Sequence, residues 1–218
     1  MSEAVQPPMG MLAELTHRCP LACPYCSNPL TLQQAANELD TQTWLRVLDE
    51  AAGLGVLQVH FSGGEPLVRT DLETLIAHAA KRGLYSNLIT SGMTMTAARA
   101  TALADAGLDH AQLSLQDTDA EGADYFAGSK NSLAKKQAAA AMLRAVDLPL
   151  TINAVMHRGN LAHLEAMIEM ALALDAGRLE IAHVQYYGWA LRNRAALMPT
   201  RAQIDVASEI VTAARSRL

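Results

Sequence analysis

The sequence lacks an excess of basic residues, a long apolar run and any low-complexity linker. Lys and Arg number 17 against 22 Asp and Glu, which gives a net charge of −5. A chain without a basic stripe is poorly suited to a phosphate backbone, so we expect no nucleic-acid partner. No apolar stretch could span a bilayer, and MSEAVQPPMG has neither part of a secretory signal. We therefore expect a cytoplasmic protein with no membrane partner.

Cysteine is scarce too, since the chain has three, and Cys19, Cys23 and Cys26 lie within one short segment. In a reducing compartment, clustered cysteines more often bind metal or carry redox chemistry than form structural disulfides. With 218 residues, half of them apolar, the chain suits one globular domain. We assign residues 10–218 to that domain and the proline-containing residues 1–9 to a flexible N-terminal tail.

One strand–helix unit recurs along the chain. The strand candidates are residues 11–16, 56–61, 85–90, 110–115, 150–155 and 178–183. Helical patterns follow them. Asp40 or Thr41 caps the first helix and Gly53 or Gly55 ends it, and Thr70 caps the second helix and Gly83 ends it. The other helical patterns lie at about 95–106, 132–146, 161–175 and 201–216. This alternation predicts a parallel sheet with right-handed crossovers. Six units are too few for a closed eight-stranded barrel, so we predict an α/β fold, a partial (βα)6 TIM-like barrel.

The unusual residues of the sequence fall at the predicted carboxyl ends of the strands. Chemistry gathers at that end of a parallel sheet. The segments are the cysteines after strand one, Ser62–Pro66 after strand two, Thr90–Gly92 after strand three, Ser114 and Gln116 at strand four, Asn153 in strand five, and His183–Trp189 after strand six. Because all six lie on one rim, we predict a functional site there.

The cysteine spacing, C-x3-C-x2-C, indicates an iron–sulfur cluster. Three thiolates can hold a cubane cluster that otherwise takes four, leaving one iron open to another ligand. A zinc site is an alternative with His17 as the fourth ligand, although structural zinc sites usually pair widely separated ligand couples. A redox-active pair of Cys23 and Cys26 is another, but it leaves Cys19 unexplained.

The same spacing, with the aromatic Tyr25 before the third cysteine, resembles the signature of the radical S-adenosylmethionine (SAM) superfamily. The resemblance implies a 4Fe-4S cluster held by Cys19, Cys23 and Cys26, with SAM chelating the open iron through its amino and carboxyl groups. It also implies reductive cleavage of SAM to a 5′-deoxyadenosyl radical that abstracts hydrogen from a substrate.

The segment Gly63, Gly64, Glu65 and Pro66 supports this resemblance. Glycines allow backbone to approach a ligand closely, and Glu65 can accept a charge-assisted hydrogen bond from an amine. In the superfamily this motif holds the amine of SAM. The same four residues also form ordinary turns in other proteins. They support the resemblance because they follow strand two.

Family position suggests residues for the rest of SAM. Ser114 and Gln116 would contact its carboxylate and ribose, and Asn153 its ribose. Tyr25 and the strand-six exit at His183 would complete the cofactor-binding set, with adenine at that exit. The alternative for Ser, Gln and Asn is an ordinary hydrogen bond at the end of a strand.

Relatives often place an arginine after strand four for the SAM carboxylate. Ala127 stands near that place in this sequence. The role is therefore either lost or passed to Lys130.

The segments LAELTHRCPLACPYCSNPL, GLYSNLITSG, LDHAQLSLQ and QYYGWALRNRAALMP together resemble the PqqA peptide cyclase family of pyrroloquinoline quinone (PQQ) biosynthesis. The resemblance implies a radical-made carbon–carbon bond between a glutamate side chain and a tyrosine ring of a PqqA-like precursor peptide. It also implies a small PqqD-like peptide chaperone and a reductant such as flavodoxin as partners.

A segment after strand six offers aromatic faces and cations for such a peptide. Its residues are Tyr186, Tyr187, Trp189, Arg192 and Arg194. A packed loop with solvated arginines is the alternative interpretation.

The cyclase family continues into a C-terminal cysteine-rich SPASM domain that carries auxiliary clusters, whereas no cysteine follows Cys26 here. We therefore expect a catalytic core without that domain and with incomplete activity. A second hypothesis is a non-catalytic module that binds the peptide or its chaperone, against which the three cysteines and Glu65 argue. A third is a radical SAM maturase of another peptide or a small molecule.

Overall fold

The computed structural model describes residues 6–32 and 34–217. The strands are β1 Gly10–Glu14, β2 Gln58–Ser62, β3 Tyr85–Thr90, β4 His110–Leu115, β5 Leu150–Met156 and β6 Arg178–His183. The helices are α1 Thr41–Gly53, α2 Leu72–Lys81, α3 Ala97–Asp105, α4 Ala120–Ala127, α5 Ser132–Arg144, α6 Leu164–Ala173, α7 Gly188–Arg192, α8 Arg194–Leu197 and α9 Arg201–Arg217. Within the described ranges, no helix is long and apolar enough to cross a bilayer.

The strands form a parallel sheet in the order β1-β2-β3-β4-β5-β6. Each strand pairs with the next one along the chain, whereas a doubly wound sheet reverses its order midway. The sheet therefore winds in one direction from β1 to β6, as the predicted partial barrel requires. That prediction of fold class is confirmed.

The two faces of the sheet differ in chemistry. Fully buried apolar side chains on one face pack against the helices: Val59, Phe61, Leu88, Leu113 and Ile152. Successive side chains of a strand point to opposite faces, so the intervening residues line the inside of the partial barrel. Those residues are largely polar, and His60, Asn87, Gln112 and Glu180 are among them. Truncating Phe61 to alanine would cost about 3–5 kcal/mol of stability, as is usual for a buried phenylalanine.

The helix caps only partly follow the sequence prediction. Asp40 caps α1 by accepting a hydrogen bond from Thr43 N at 2.8 Å, as predicted. The prediction that Thr70 caps α2 is wrong, because Asp71 holds the N-cap position. The Asp71 carboxylate does not bond to the helix; it accepts from Arg69 and from Thr41 Oγ1.

The structure adds α4, α7 and α8, which the periodicity did not predict. The signals for α4 are present but short: Asp119 accepts from Gly122 N at 2.7 Å, and Gly128 ends the helix with a φ of 63°. Of the predicted tail, residues 1–5 lie outside the described residues. Residues 6–9 belong to no helix or strand, although Met9 O accepts hydrogen bonds from the start of the β2 segment.

Candidate functional site

The loop that carries the three cysteines, residues 15–30, packs against the Gly63-Gly64 turn. Gly64 N donates to Thr16 O at 2.6 Å, and Glu65 N donates to Arg18 O at 2.8 Å. A Cβ on Gly63 or Gly64 would collide with backbone carbonyls of the cysteine loop. The backbone of the cysteine loop thus approaches this turn so closely that both positions require glycine. Contact of the turn with a ligand stays a prediction.

The opposite side of the cysteine loop contacts α7 and the residue that follows it. Ala190 N donates to Cys26 O at 3.0 Å, and Asn193 Nδ2 donates to Pro24 O at 2.9 Å. The strand-two exit and the strand-six exit therefore hold the loop between them.

The aromatic and cationic segment after β6 is partly a packed loop and partly an exposed surface. Its backbone packs on the cysteine loop, but Tyr187 and Trp189 are 68% and 42% exposed. The Arg194 guanidinium lies 5.8 Å from the centre of the Tyr186 ring, and Arg192 is exposed. The segment is thus a packed element that presents two aromatic side chains to solvent.

The cysteine side chains are free thiols in one loop. Within the described residues, no three His, Cys, Asp or Glu side chains are arranged to hold a metal ion, a finding that favours neither the zinc hypothesis nor the cluster hypothesis. Burial raises the pKa of the Cys23 thiol to about 11 and also raises that of Cys19. Binding to a metal offsets such a shift, because thiolate is the form that coordinates. Three free cysteines in one loop fit the donor set of a cluster with one open iron.

Glu65 is fully buried and joins the ends of β2 and β3. Its Oε1 accepts from Thr90 Oγ1 at 2.6 Å and from Leu67 N at 3.1 Å. Its Oε2 accepts from the backbone N of Ser91 at 2.8 Å and from the Ser91 hydroxyl. These four hydrogen bonds show that Glu65 organises the rim, and its contact with the SAM amine stays a prediction.

Lys136 is a buried cation that the sequence analysis missed, only 1% exposed in α5. Its Nζ donates to Ser91 O and to Ser114 O, each at 2.8 Å. Burial lowers the pKa of Lys136 to about 8, against the opposing influence of Cys23, Glu65 and Cys19. The site therefore contains a lysine that is largely protonated at neutral pH and lies close to the cysteine loop.

Lys130, which the sequence analysis considered for the carboxylate role, is exposed. Ala127 is fully buried, and its carbonyl accepts from Ala22 N of the cysteine loop at 3.0 Å. A sequence signal for Lys136 existed, because Ser132 four residues before it and Ala140 four residues after it share the buried face of α5. A lysine on such a face needs a partner inside the protein.

Three predicted SAM contacts lie on the neighbouring strands β4 and β5, with Asn153 in the middle of β5. Ser114 and Asn153 are neighbours in the strand register, and Gln116 follows β4. Gln116 Oε1 and Asn153 Oδ1 are buried without a hydrogen-bond partner in the described residues. An unpaired buried acceptor costs about 1–3 kcal/mol, so these oxygens suit a ligand with hydroxyl groups.

Tyr25 lies beside this group, with its ring centre 5.5 Å from that of His157. Burial raises the Tyr25 pKa well above its usual value, against a hydrogen bond from Gln116 that lowers it. Burial also lowers the pKa of His157 to about 4. Tyr25, within the cysteine loop, is therefore a neutral phenol, and His157, next to its ring, is a neutral imidazole.

His183 is not brought to this site. Its side chain lines a groove on the helix face of the sheet, with Met156, Ile168 and Val211. The next residue, Val184, packs in the same cluster as Tyr25. Because alternate residues point to opposite faces, Val184 and not His183 faces the predicted adenine position at this exit.

Residues 13–171 match the family model described as the Radical SAM superfamily. The chain belongs to that superfamily, whose members bind a 4Fe-4S cluster and SAM. The class that the fold and the site define is thus that of radical SAM enzymes.

Among curated proteins, the chain is similar to PqqA peptide cyclases. It is 60% identical over 208 residues to that of Methylocella silvestris, covering 95% of this chain and 56% of the relative. It is also 60% identical over 214 residues to that of Ruegeria pomeroyi, covering 98% and 57%. The chain therefore spans little more than half the length of these relatives.

Solved structures share the fold at low identity. Streptococcus suis SuiB bound to precursor peptide SuiA has a TM-score of 0.82 and 19% identity, covering 98% of this chain and 47% of that one. The radical SAM enzyme HemN, the coproporphyrinogen III oxidase of Escherichia coli, has a TM-score of 0.71 and 15% identity, covering 93% and 51%. Both likenesses support the partial-barrel fold.

Proposed function

We propose that this chain is the catalytic core of a radical SAM enzyme that forms a Glu–Tyr carbon–carbon cross-link in a PqqA-like precursor peptide. The observation that carries the proposal is the convergence on one rim of three cysteines, the buried Lys136 and two unpaired amide oxygens. Similarity to PqqA peptide cyclases along nearly the whole chain supports the choice of substrate.

Each residue of the rim has a proposed task. Cys19, Cys23 and Cys26 would hold the cluster, which supplies the electron that cleaves SAM when both are bound. Lys136 would pair with the SAM carboxylate through the third N–H of its ammonium group, since the other two donate to the carbonyls of Ser91 and Ser114. Glu65 would attract the amine through the negative charge of its carboxylate, which its four hydrogen bonds do not remove.

The remaining contacts would orient the nucleoside part. Gln116 Oε1 and Asn153 Oδ1 would accept from ribose hydroxyls, because both are buried acceptors without partners in the described chain. Ser114, next to Asn153, would contribute its hydroxyl group. Tyr25 and Val184 would pack on the adenine ring.

The partners of the reaction are proposed by analogy with the relatives. SuiB has been solved with its precursor peptide, and the exposed Tyr187 and Trp189 offer this chain an aromatic surface for a peptide. A PqqD-like chaperone would present the peptide, and flavodoxin or a similar reductant would supply electrons.

Anaerobic reconstitution tests the proposal. We expect about four irons and four sulfides per chain, broad visible absorbance, and 5′-deoxyadenosine when a strong reductant and SAM are added. Cys26→Ala should lose the cluster, and Ser27→Ala, an exposed neighbour in the same loop, should keep it. Stoichiometric zinc without sulfide would overturn the proposed function. A stable cluster that gives no deoxyadenosine would favour the non-catalytic binding module.

A further inference from the structure

Four polar side chains form a hydrogen-bonded row across the inside of the partial barrel. Asn87 Nδ2 lies 3.1 Å from His60 Nδ1 and 3.4 Å from Gln112 Oε1. Gln112 Nε2 donates to Glu180 Oε2 at 3.2 Å. This last bond reaches from β4 to β6 past the intervening β5, so the side chains meet inside the barrel. We call these four residues the polar row.

The polar row extends up to the layer of the predicted SAM contacts. Gln112 precedes Ser114 by two residues on β4 and lies one layer below it, whereas Glu180 pairs in register with Asn153 on β5 and lies in the same layer as that predicted contact. Two residues of a strand rise by about 6.6 Å. Barrel interiors at this depth are usually packed with branched apolar side chains, so a polar layer next to a catalytic rim calls for a ligand.

The hydrogen-bond directions in the row follow from Glu180. A carboxylate only accepts, so the Gln112 amide must donate to it through Nε2 and accept through Oε1. Asn87 must then donate through Nδ2, and His60 Nδ1, which faces the same nitrogen, is an acceptor on a neutral ring. These directions leave Asn87 Oδ1 as a spare acceptor.

That spare acceptor is enclosed. Asn87 is 5% exposed, and its Oδ1 has no hydrogen-bond partner in the described residues. An apolar surface lies two strands away on β1, since Leu12 pairs in register with His60, His60 pairs with Asn87, and Leu12 is 59% exposed. The polar row therefore contains an unpaired oxygen and a carboxylate, and an exposed apolar side chain adjoins its His60 end.

We propose that the polar row is the floor of the substrate pocket and binds the phenol hydroxyl of the substrate tyrosine. This inference rests on the proposed function and adds to it which of the two cross-linked side chains faces the barrel. A phenol can donate to Asn87 Oδ1 with its ring directed across His60 towards Leu12, and Glu180 fixes the amide orientations that leave this oxygen free. A glutamate carboxylate brings no donor to the spare oxygen and is repelled by Glu180. The substrate glutamate therefore points away from the floor.

Peptide binding tests the floor directly. The probes are three precursor peptides with Tyr, Phe or Glu at the tyrosine position, labelled for fluorescence anisotropy and titrated in the presence of the chaperone. We expect the native chain to bind the Tyr peptide about ten- to a hundredfold more tightly than the Phe peptide, as for a hydrogen bond to a charged or buried polar group. The Glu peptide should bind at least as weakly as the Phe peptide.

Glu180→Gln is the informative variant, because the side chain is partly exposed and its shape is kept. The preference for Tyr over Phe should fall severalfold, and the penalty for the Glu peptide should shrink, since the repelling charge is gone. Glu165→Gln, on the exposed face of α6, is the matched control and should keep the native preferences. Cluster content should be the same in all three proteins, which shows that the variants are folded, and the control Glu165→Gln should also keep the native rate of deoxyadenosine formation without peptide.

The outcomes separate this inference from the proposed function. Equal affinity of the native chain for the Tyr and Phe peptides, or no binding of either, overturns the inference even if SAM is cleaved. A Tyr preference that Glu180→Gln leaves intact also overturns it. A Tyr preference that depends on Glu180, in a chain that forms no deoxyadenosine, supports the polar row and counts against the proposed function.

Discussion

The Glu65→Gln substitution should destabilise the fold before any cofactor is considered. The Glu65 carboxylate is fully buried and accepts four hydrogen bonds, two on each oxygen. In glutamine, an NH2 group replaces one of the two oxygens. This group is itself a donor, so it cannot accept the hydrogen bonds of the donors that it faces. If it takes the place of Oε1, the Thr90 hydroxyl can turn and accept, but Leu67 N cannot. The loss of one or two bonds to a charged group predicts about 2–5 kcal/mol.

Anaerobic thermal unfolding of the apoprotein measures this effect. A chain of this size loses roughly 2–4 °C of Tm per kcal/mol, so we expect a decrease of about 5–15 °C. Glu165→Gln, an exposed control, should change stability by less than about 0.5 kcal/mol. A Tm for Glu65→Gln within about 2 °C of the native value would refute the reasoning, because the four donors would then be satisfied without the charge.

The role of Glu65 towards SAM needs a separate measurement, made well below the lowered Tm. There the variant should keep its cluster and bind SAM more weakly by about 1.5–3 kcal/mol, the usual worth of a hydrogen bond to a charged group. Equal SAM affinity in the folded variant would leave Glu65 as a purely structural residue of the rim.

Further predictions concern the rim and the reaction. Lys136→Met should weaken SAM binding about ten- to a hundredfold, while Lys130→Met, an exposed control, should not. In the native chain SAM affinity should fall as the pH rises through about 8, because Lys136 then loses its proton; a flat affinity from pH 6.5 to about 9 would remove Lys136 from the carboxylate site. Gly64→Ala should lower the iron content of the reconstituted protein, because its Cβ would meet the carbonyls of the cysteine loop, and Gly53→Ala, with open space around it, should not. Given reductant, SAM, peptide and chaperone, these 218 residues should form deoxyadenosine but little peptide lighter by two hydrogens, since no cysteine remains for auxiliary clusters; efficient loss of two hydrogens, measured by mass spectrometry, would contradict this.

The strands were predictable because their signal is local. Runs such as residues 85–90 and 178–183 alternate or concentrate apolar residues over one strand length, and both coincide with observed strands. The α4 helix was missed because eight residues give too few turns to establish a period. The Thr70 cap was wrong for another reason: Asp71 forms an ion pair with Arg69 and accepts a hydrogen bond from Thr41, and Thr41 lies on a different element.

The site was predictable where its residues carry a motif and not where only packing assembles it. The cysteine spacing and the Gly63-Gly64-Glu65-Pro66 motif can both be recognised directly in the sequence. Lys136 belongs to no motif, and its approach to Ser91 and Ser114 depends on how α5 packs over β3 and β4. The polar row likewise depends on strand register, since Gln112 and Glu180 are 68 residues apart in sequence.

The contact between Asn193 and Pro24 joins residues that lie 169 positions apart, and it has a consequence for biosynthesis. A ribosome adds about 5–20 residues per second, so roughly ten to thirty seconds separate synthesis of the cysteine loop from that of α7. During that interval the three thiols emerge without the segment that contacts Cys26 and Pro24 in the finished fold. The loop therefore takes its final shape only late in synthesis, and a cluster delivered earlier would meet thiols that are not yet positioned.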